Sequence, residues 1–102
     1  MLENQNNADE NDNGFLVRHV HVTGELGLHA RPAAKLAQEA QKFDCTIVLK
    51  AAGQEVDAKS ILDILTLAAA PGTNLVMRAK GCDAVQALDR LETLFHNQFD
   101  ED

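Results

Sequence analysis

The feature that most restricts this chain is a repeated change of hydrophobic period. Leu16, Val17, Val20 and Val22 mark a β-compatible stretch from Phe15 to Thr23, with His19 and His21 alternating against Val20 and Val22. After Gly24 and Gly27 the period becomes helical. From Ala30 to about Phe43, Ala33, Leu36, Ala37 and Ala40 share one face, and Lys35, Gln38, Glu39 and Lys42 are expected outside. Pro32 falls in the first turn of that helix, where the missing N–H has no intrahelical partner to lose. Thr46 to Lys50 reads as a second strand, Ala51 to Gln54 as a hairpin connection, and Glu55 to Ala58 as a short third strand.

Ser60 followed by Asp63 is a capping-box signature, opening an apolar helix through Ile61, Leu62, Ile64, Leu65 and Leu67 that Pro71-Gly72 ends. Asn74 to Lys80 alternates Leu75, Met77 and Ala79 against Val76 and Arg78, a fourth strand. Gly81 turns, Asp83 is expected to cap, and a last helix runs to about His96 with Val85, Leu88, Leu91 and Phe95 inward. The order is β-α-β-β-α-β-α. Elements with one apolar face each predict an α+β sandwich of two layers, with one side of the sheet left to solvent.

Charge and composition delimit the functions open to such a domain. The formal net charge is -7, but four acids precede Phe15 and Asp100, Glu101 and Asp102 end the chain. The nine acids that remain face nine Lys and Arg, so the span 15–99 is neutral. Residues 1–14 are expected to form a disordered, acidic, Asn-rich arm, and 100–102 an acidic tail. Acidity, no Trp or Tyr and only 4 Phe exclude a stacking surface for nucleic acid. The first residues carry neither the basic region nor the apolar run of a signal peptide, and no run approaches the ~20 apolar residues of a membrane span. Cys45 and Cys82 form no C-x-x-C and are expected as small hydrophobes at strand ends. These features predict a cytoplasmic protein without membrane insertion. His19 and His21 share a strand side, but no third ligand completes a metal set, so no metal is expected.

The stretch Gly27-Leu28-His29-Ala30-Arg31-Pro32-Ala33-Ala34 carries the chemistry. It puts a histidine at the cap of the first helix and an arginine two residues on. A helix start carries about half a positive charge and unpaired N–H donors, a ready anion site. The same field disfavours a second positive charge on His29, leaving a ring nitrogen available as nucleophile. Arg31 can set its guanidinium against anionic oxygens, and nucleophile, donors and cation are what phosphoryl transfer requires. Short side chains at Ala30, Ala33 and Ala34 leave the approach open to a large partner. Taken alone, a His-x-Arg is more often a capping histidine beside a solvated arginine.

The octapeptide and the order of elements together resemble HPr, the histidine-containing phosphocarrier family of the bacterial phosphoenolpyruvate-dependent phosphotransferase system. A second match runs from Lys59-Ser60-Ile61-Leu62 to Leu67-Ala68, followed by Gly72, and the resemblance spans about Phe15 to Phe95. It implies an open-faced β-sandwich, with a four-stranded antiparallel sheet covered on one face by three helices. It also implies that His29 accepts phosphate on Nδ1 from enzyme I and passes it to an enzyme IIA domain, with Arg31 stabilising charge. On that reading the protein is a carrier rather than a turnover enzyme, binds no cofactor and is a monomer. Ala30, Ala34, Ile61, Leu62 and Leu65 become the partner-docking residues. Ser60 matches the regulatory serine of relatives that are substrates of HPr kinase/phosphorylase, although Asp63 stands where those often have Gly. Gln38, Gln41 and Asp63 occupy positions where many relatives carry Lys, which weakens steering toward acidic partners. The alternative is an HPr-like regulatory module, nitrogen-type or kinase-controlled, that signals phosphorylation state rather than supporting sugar uptake.

Overall fold

A computed structural model describes residues 14–99. The expected arm, except for Gly14, and the tail at 100–102 lie outside the described residues. The elements follow the expected order: β1 (Leu16–His21), α1 (Ala30–Ala40), β2 (Thr46–Ala51), β3 (Gln54–Asp57), α2 (Ile61–Thr66), β4 (Asn74–Lys80) and α3 (Ala84–His96). All pairings are antiparallel and the strand order is β1-β4-β2-β3. The hairpin turn is tighter than expected. Only Ala52 and Gly53 separate β2 from β3, with φ of 51° and 79°, the left-handed pair a two-residue turn needs to match strand twist.

The period-2 alternation sends one side chain in two into the layer shared with the helices. Leu75, Met77 and Ala79 of β4, Ile47 and Leu49 of β2 and Val20 of β1 are buried there against Leu36 of α1, Ile64 of α2 and Leu88, Leu91 and Leu94 of α3. Each fully buried leucine of this size contributes about 1.5–3 kcal/mol. The opposite face holds the exposed His19 and His21. It also carries a small cluster in which the Arg78 guanidinium lies 4.5 Å from the Phe15 ring centroid and pairs with Glu55. One sheet face is thus covered by three helices and the other is open, the architecture the resemblance implied.

Four local expectations are corrected. Val85 is 49% exposed, and the inner face of α3 runs instead through Ala84, Ala87, Leu88, Leu91, Leu94 and Phe95. Glu39 is 5% exposed rather than outside, because Arg90 of α3 meets its Oε1 at 2.9 Å and Lys42 its Oε2 at 2.9 Å. Asp83 precedes α3 without capping it by its side chain. Its carboxylate accepts from the backbone N–H groups of Asp44 and Cys45 at 2.8 and 2.9 Å, which hold it below the usual carboxylate range. Cys82 is exposed. Cys45 is buried as expected, and burial, seconded by Asp83, pushes its thiol up to about 11.

Candidate functional site

The loop between β1 and α1 is fixed by backbone contact before any side chain is considered. Gly27 has φ +72°, and a Cβ there would stand 2.4 Å from the carbonyl oxygen of Ala69. No other residue type tolerates both the conformation and the approach. The same carbonyl accepts the Leu28 N–H at 2.8 Å, and the buried Leu28 side chain anchors the segment in the core. The loop is therefore docked on the α2–β4 connection, and His29 follows at a fixed place.

His29 is the N-cap of α1 in extended backbone conformation, φ −85° and ψ −169°. Its carbonyl accepts the Ala33 N–H at 2.9 Å, while its side chain makes no capping hydrogen bond. The exposed imidazole is thus free for chemistry. No acidic residue occupies the first turn of α1; the nearest described carboxylate in the cavity is that of Glu25 in the preceding loop. Arg31 is exposed as well, with no ion pair or hydrogen bond among the described residues. Both residues line a cavity of about 430 Å³ whose walls include Leu26, Leu28, Phe95, Gln98 and Phe99. The arrangement can receive an anion at a nucleophilic ring with a cation lining the same cavity. Leu26, 74% exposed, and the end of α3 were not foreseen here. No local pattern carries that signal, because it arises where a loop meets a helix end some seventy residues away in sequence.

The second motif lies along the flank of α1. Gln41 Nε2 donates to the Lys59 carbonyl at 2.8 Å and Lys59 Nζ to the Phe43 carbonyl at 2.7 Å. With Ala69 under Leu28 at the other end, α2 runs antiparallel to α1. Ser60 and Ile61 therefore lie toward the end of α1 remote from His29. Ser60 caps α2, its Oγ accepting the Asp63 N–H at 3.2 Å. The reciprocal half of the box is absent: the Ser60 N–H goes to the Asp57 carbonyl, and Asp63 Oδ2 accepts weakly from the Asp57 N–H at 3.4 Å. Leu62 is 72% exposed and Ile61 36%, while Leu65 is half-buried against the core. Ala30 is exposed and Ala34 half-buried. Among the described residues no three His, Cys, Asp or Glu come together as metal ligands, and no helix is long and apolar enough to cross a membrane.

The described residues thus form a helix-covered antiparallel sheet that presents an exposed histidine and an arginine, unpaired among them, at a helix start, a class of site chemically suited to an anionic group. Comparison with known proteins narrows the class. The family described as PTS HPr component phosphorylation site matches residues 16–97. The phosphocarrier protein HPr of Xylella fastidiosa is 47% identical over 88 residues, covering 86% of this chain and 99% of its own. The phosphocarrier protein NPr of Escherichia coli is 39% identical over 84 residues, covering 81% and 93%. A crystal structure of HPr from Bacillus anthracis superposes with a TM-score of 0.77 at 37% identity, over 81% of this chain and 99% of that one. The chain belongs to the PTS HPr family of phosphocarrier proteins.

Proposed function

We propose that this protein accepts a phosphoryl group on His29 from enzyme I and hands it to an enzyme IIA domain. The observation that carries the reading is the His29 ring, unengaged at an uncapped helix start and sharing a cavity with Arg31, which is unpaired among the described residues. A ring nitrogen, Nδ1 by the family resemblance, attacks phosphorus as the bond to the donor breaks, and the leaving group departs opposite. The first N–H groups of α1 and the Arg31 guanidinium hold the equatorial oxygens. Both residues are exposed, so a docked partner must exclude water before these charges reach full effect. Ile61 and Leu62 are the apolar docking surface, with Leu65, Ala30 and Ala34 contributing smaller areas. The molecule works as a monomeric, cytoplasmic carrier without a cofactor of its own, its domain spanning 15–99 between an arm at 1–14 and a tail at 100–102. Crh of Bacillus subtilis, 38% identical, forms a dimer with a swapped domain, so size-exclusion chromatography is the check on the monomer.

Similarity to proteins of both names, HPr and NPr, supports a second reading in the same cavity: a regulatory module whose phosphorylation state is read by a partner. Competition between a sugar-specific IIA domain and a lone regulatory one for the phosphorylated protein separates the two. Ser60 is the position at which an HPr kinase/phosphorylase would act. Its oxygen already accepts from Asp63, and the Asp63 carboxylate opposes a second negative charge there.

Incubation with enzyme I and phosphoenolpyruvate, followed by intact-mass measurement, tests the assignment. The protein should gain one phosphoryl group and His29→Ala none. The adduct should survive alkali and be lost in acid, where protonating the P–N nitrogen makes a good leaving group. Phosphate on another residue, or no uptake from a competent enzyme I, removes the assignment and leaves only the fold in common.

A further inference from the structure

The cavity holding His29 and Arg31 is completed by the end of α3, where the backbone takes an uncommon form. After the C-cap Asn97, both Gln98 and Phe99 are left-handed, with φ of 56° and 59°. The Phe99 N–H donates to the Leu94 carbonyl at 2.8 Å and the Gln98 N–H to the Phe95 carbonyl at 3.2 Å. This pair of bonds closes a helix end in the way that ordinarily places glycine where Gln98 stands. The Phe99 ring packs edge-on against Phe95, centroids 4.9 Å apart at 74°, and holds the turn in place. Two consecutive non-glycine residues are thus kept in a disfavoured conformation, and both line the cavity with His29 and Arg31. Such strain gathers where a side chain is needed for something other than folding. Glycine at 98 would close the helix with less strain. What glycine lacks is the carboxamide.

We propose that Gln98 is a phosphoryl-binding residue of the His29 site: its carboxamide N–H donates to an oxygen of the phosphoryl group carried on His29. The inference rests on the reading of His29 given above. Arg31 supplies charge to the bound group, whereas Gln98 supplies a directed neutral donor from a separate element. Spontaneous loss of the group proceeds as water attacks phosphorus and the P–N bond breaks. The ring nitrogen leaves with the electron pair, and inorganic phosphate carries away the water oxygen. Electron density on the phosphoryl oxygens drives that cleavage, so a donor held against one of them slows it.

The experiment needs no partner protein. Phosphoramidate phosphorylates the full chain directly, its ammonia leaving as the ring nitrogen bonds to phosphorus, and phosphorus NMR follows the decay of phospho-His29 at neutral pH. Gln98→Gly should raise the melting temperature while shortening the half-life about three- to tenfold, the range of one lost hydrogen bond. Gln98→Glu keeps the size and the backbone strain but brings a negative charge to the phosphoryl group, so its half-life should be shorter still. Half-lives of both variants within twofold of wild type would overturn the proposal and leave Gln98 as a strained helix cap. Failure of the wild-type protein to form phospho-His29 would instead overturn the reading of His29.

Discussion

The two ends of α1 are built to opposite rules. At its C-terminal end Glu39 is buried and tied to α3 through Arg90, with Lys42 on the same carboxylate and Lys35 at 3.8 Å. At its N-terminal end His29 and Arg31 are exposed and unpaired among the described residues. One end has its charges satisfied within the chain; the other keeps its first turn free of acids and its Arg31 unpaired among the described residues. Anchoring and reactivity are separated along a single helix of 11 residues. Substitutions at the two ends should therefore fail in different assays.

The largest effect should come from the reactive end. Arg31→Ala should slow phosphorylation by enzyme I by about 2–4 kcal/mol of barrier, by analogy with loss of one oxyanion donor, and leave the melting temperature unmoved. Rapid-quench kinetics beside calorimetry would show the split; a fall in melting temperature would mean that Arg31 is structural after all. Glu39→Gln should do the reverse, costing about 1.5–3 kcal/mol of stability with transfer intact. Burial alone would raise the Glu39 carboxyl, but its bonds to Lys42 and Arg90 overcome this and hold it below the ordinary value. A lowered folded-state value means the contribution is complete above the unfolded carboxylate value of about 4.3 and is lost as pH falls through the folded one. Melting curves of wild type and Glu39→Gln should diverge above about pH 5 and converge in acid. Curves that stay parallel across that window would rule out an ionised Glu39 as the anchor.

Smaller effects refine the contrast. Ser60→Ala should cost about 0.5–2 kcal/mol through the lost cap and leave His29 phosphorylation intact. Ser60→Asp keeps an acceptor but adds charge beside Asp63, and should slow transfer more than alanine does. Equal rates for both would take the start of α2 out of the docking surface. Removal of residues 1–14 should matter least, shifting stability by no more than about 0.5 kcal/mol in denaturant titration.

What could be read from the sequence follows the same division between local and distant causes. The start of α1 was legible because Pro32, the glycines and the change of period are local signals, and the His29–Arg31 motif lies within that start. Glu39 was misplaced because its burial depends on Arg90, 51 residues away. The apolar period points Val85 inward because Ala84 and Ala87 carry little hydrophobic weight in it, although both are buried. The Asp83 pattern fits a cap, yet its carboxylate serves a turn some forty residues earlier. The cavity wall at Gln98 and Phe99 was invisible for the same reason.

The strand order has a consequence for the order of events as the chain is made. β4 lies between β1 and β2, pairing Leu16 with Ala79 and Thr46 with Lys80, so neither early strand has its principal neighbour until residues 74–80 exist. Until then the only sheet pairing available is the β2–β3 hairpin, which is marginal on its own. The carbonyl of Ala69 that seats the His29 loop is likewise among the later residues. Closure of such long loops before any pairing is rewarded makes folding slow relative to chains dominated by local contacts. A ribosome-bound fragment ending before Ala69 would hold His29 without the carbonyl that seats its loop and without the end of α3 that walls its cavity, so the site is assembled only late in synthesis.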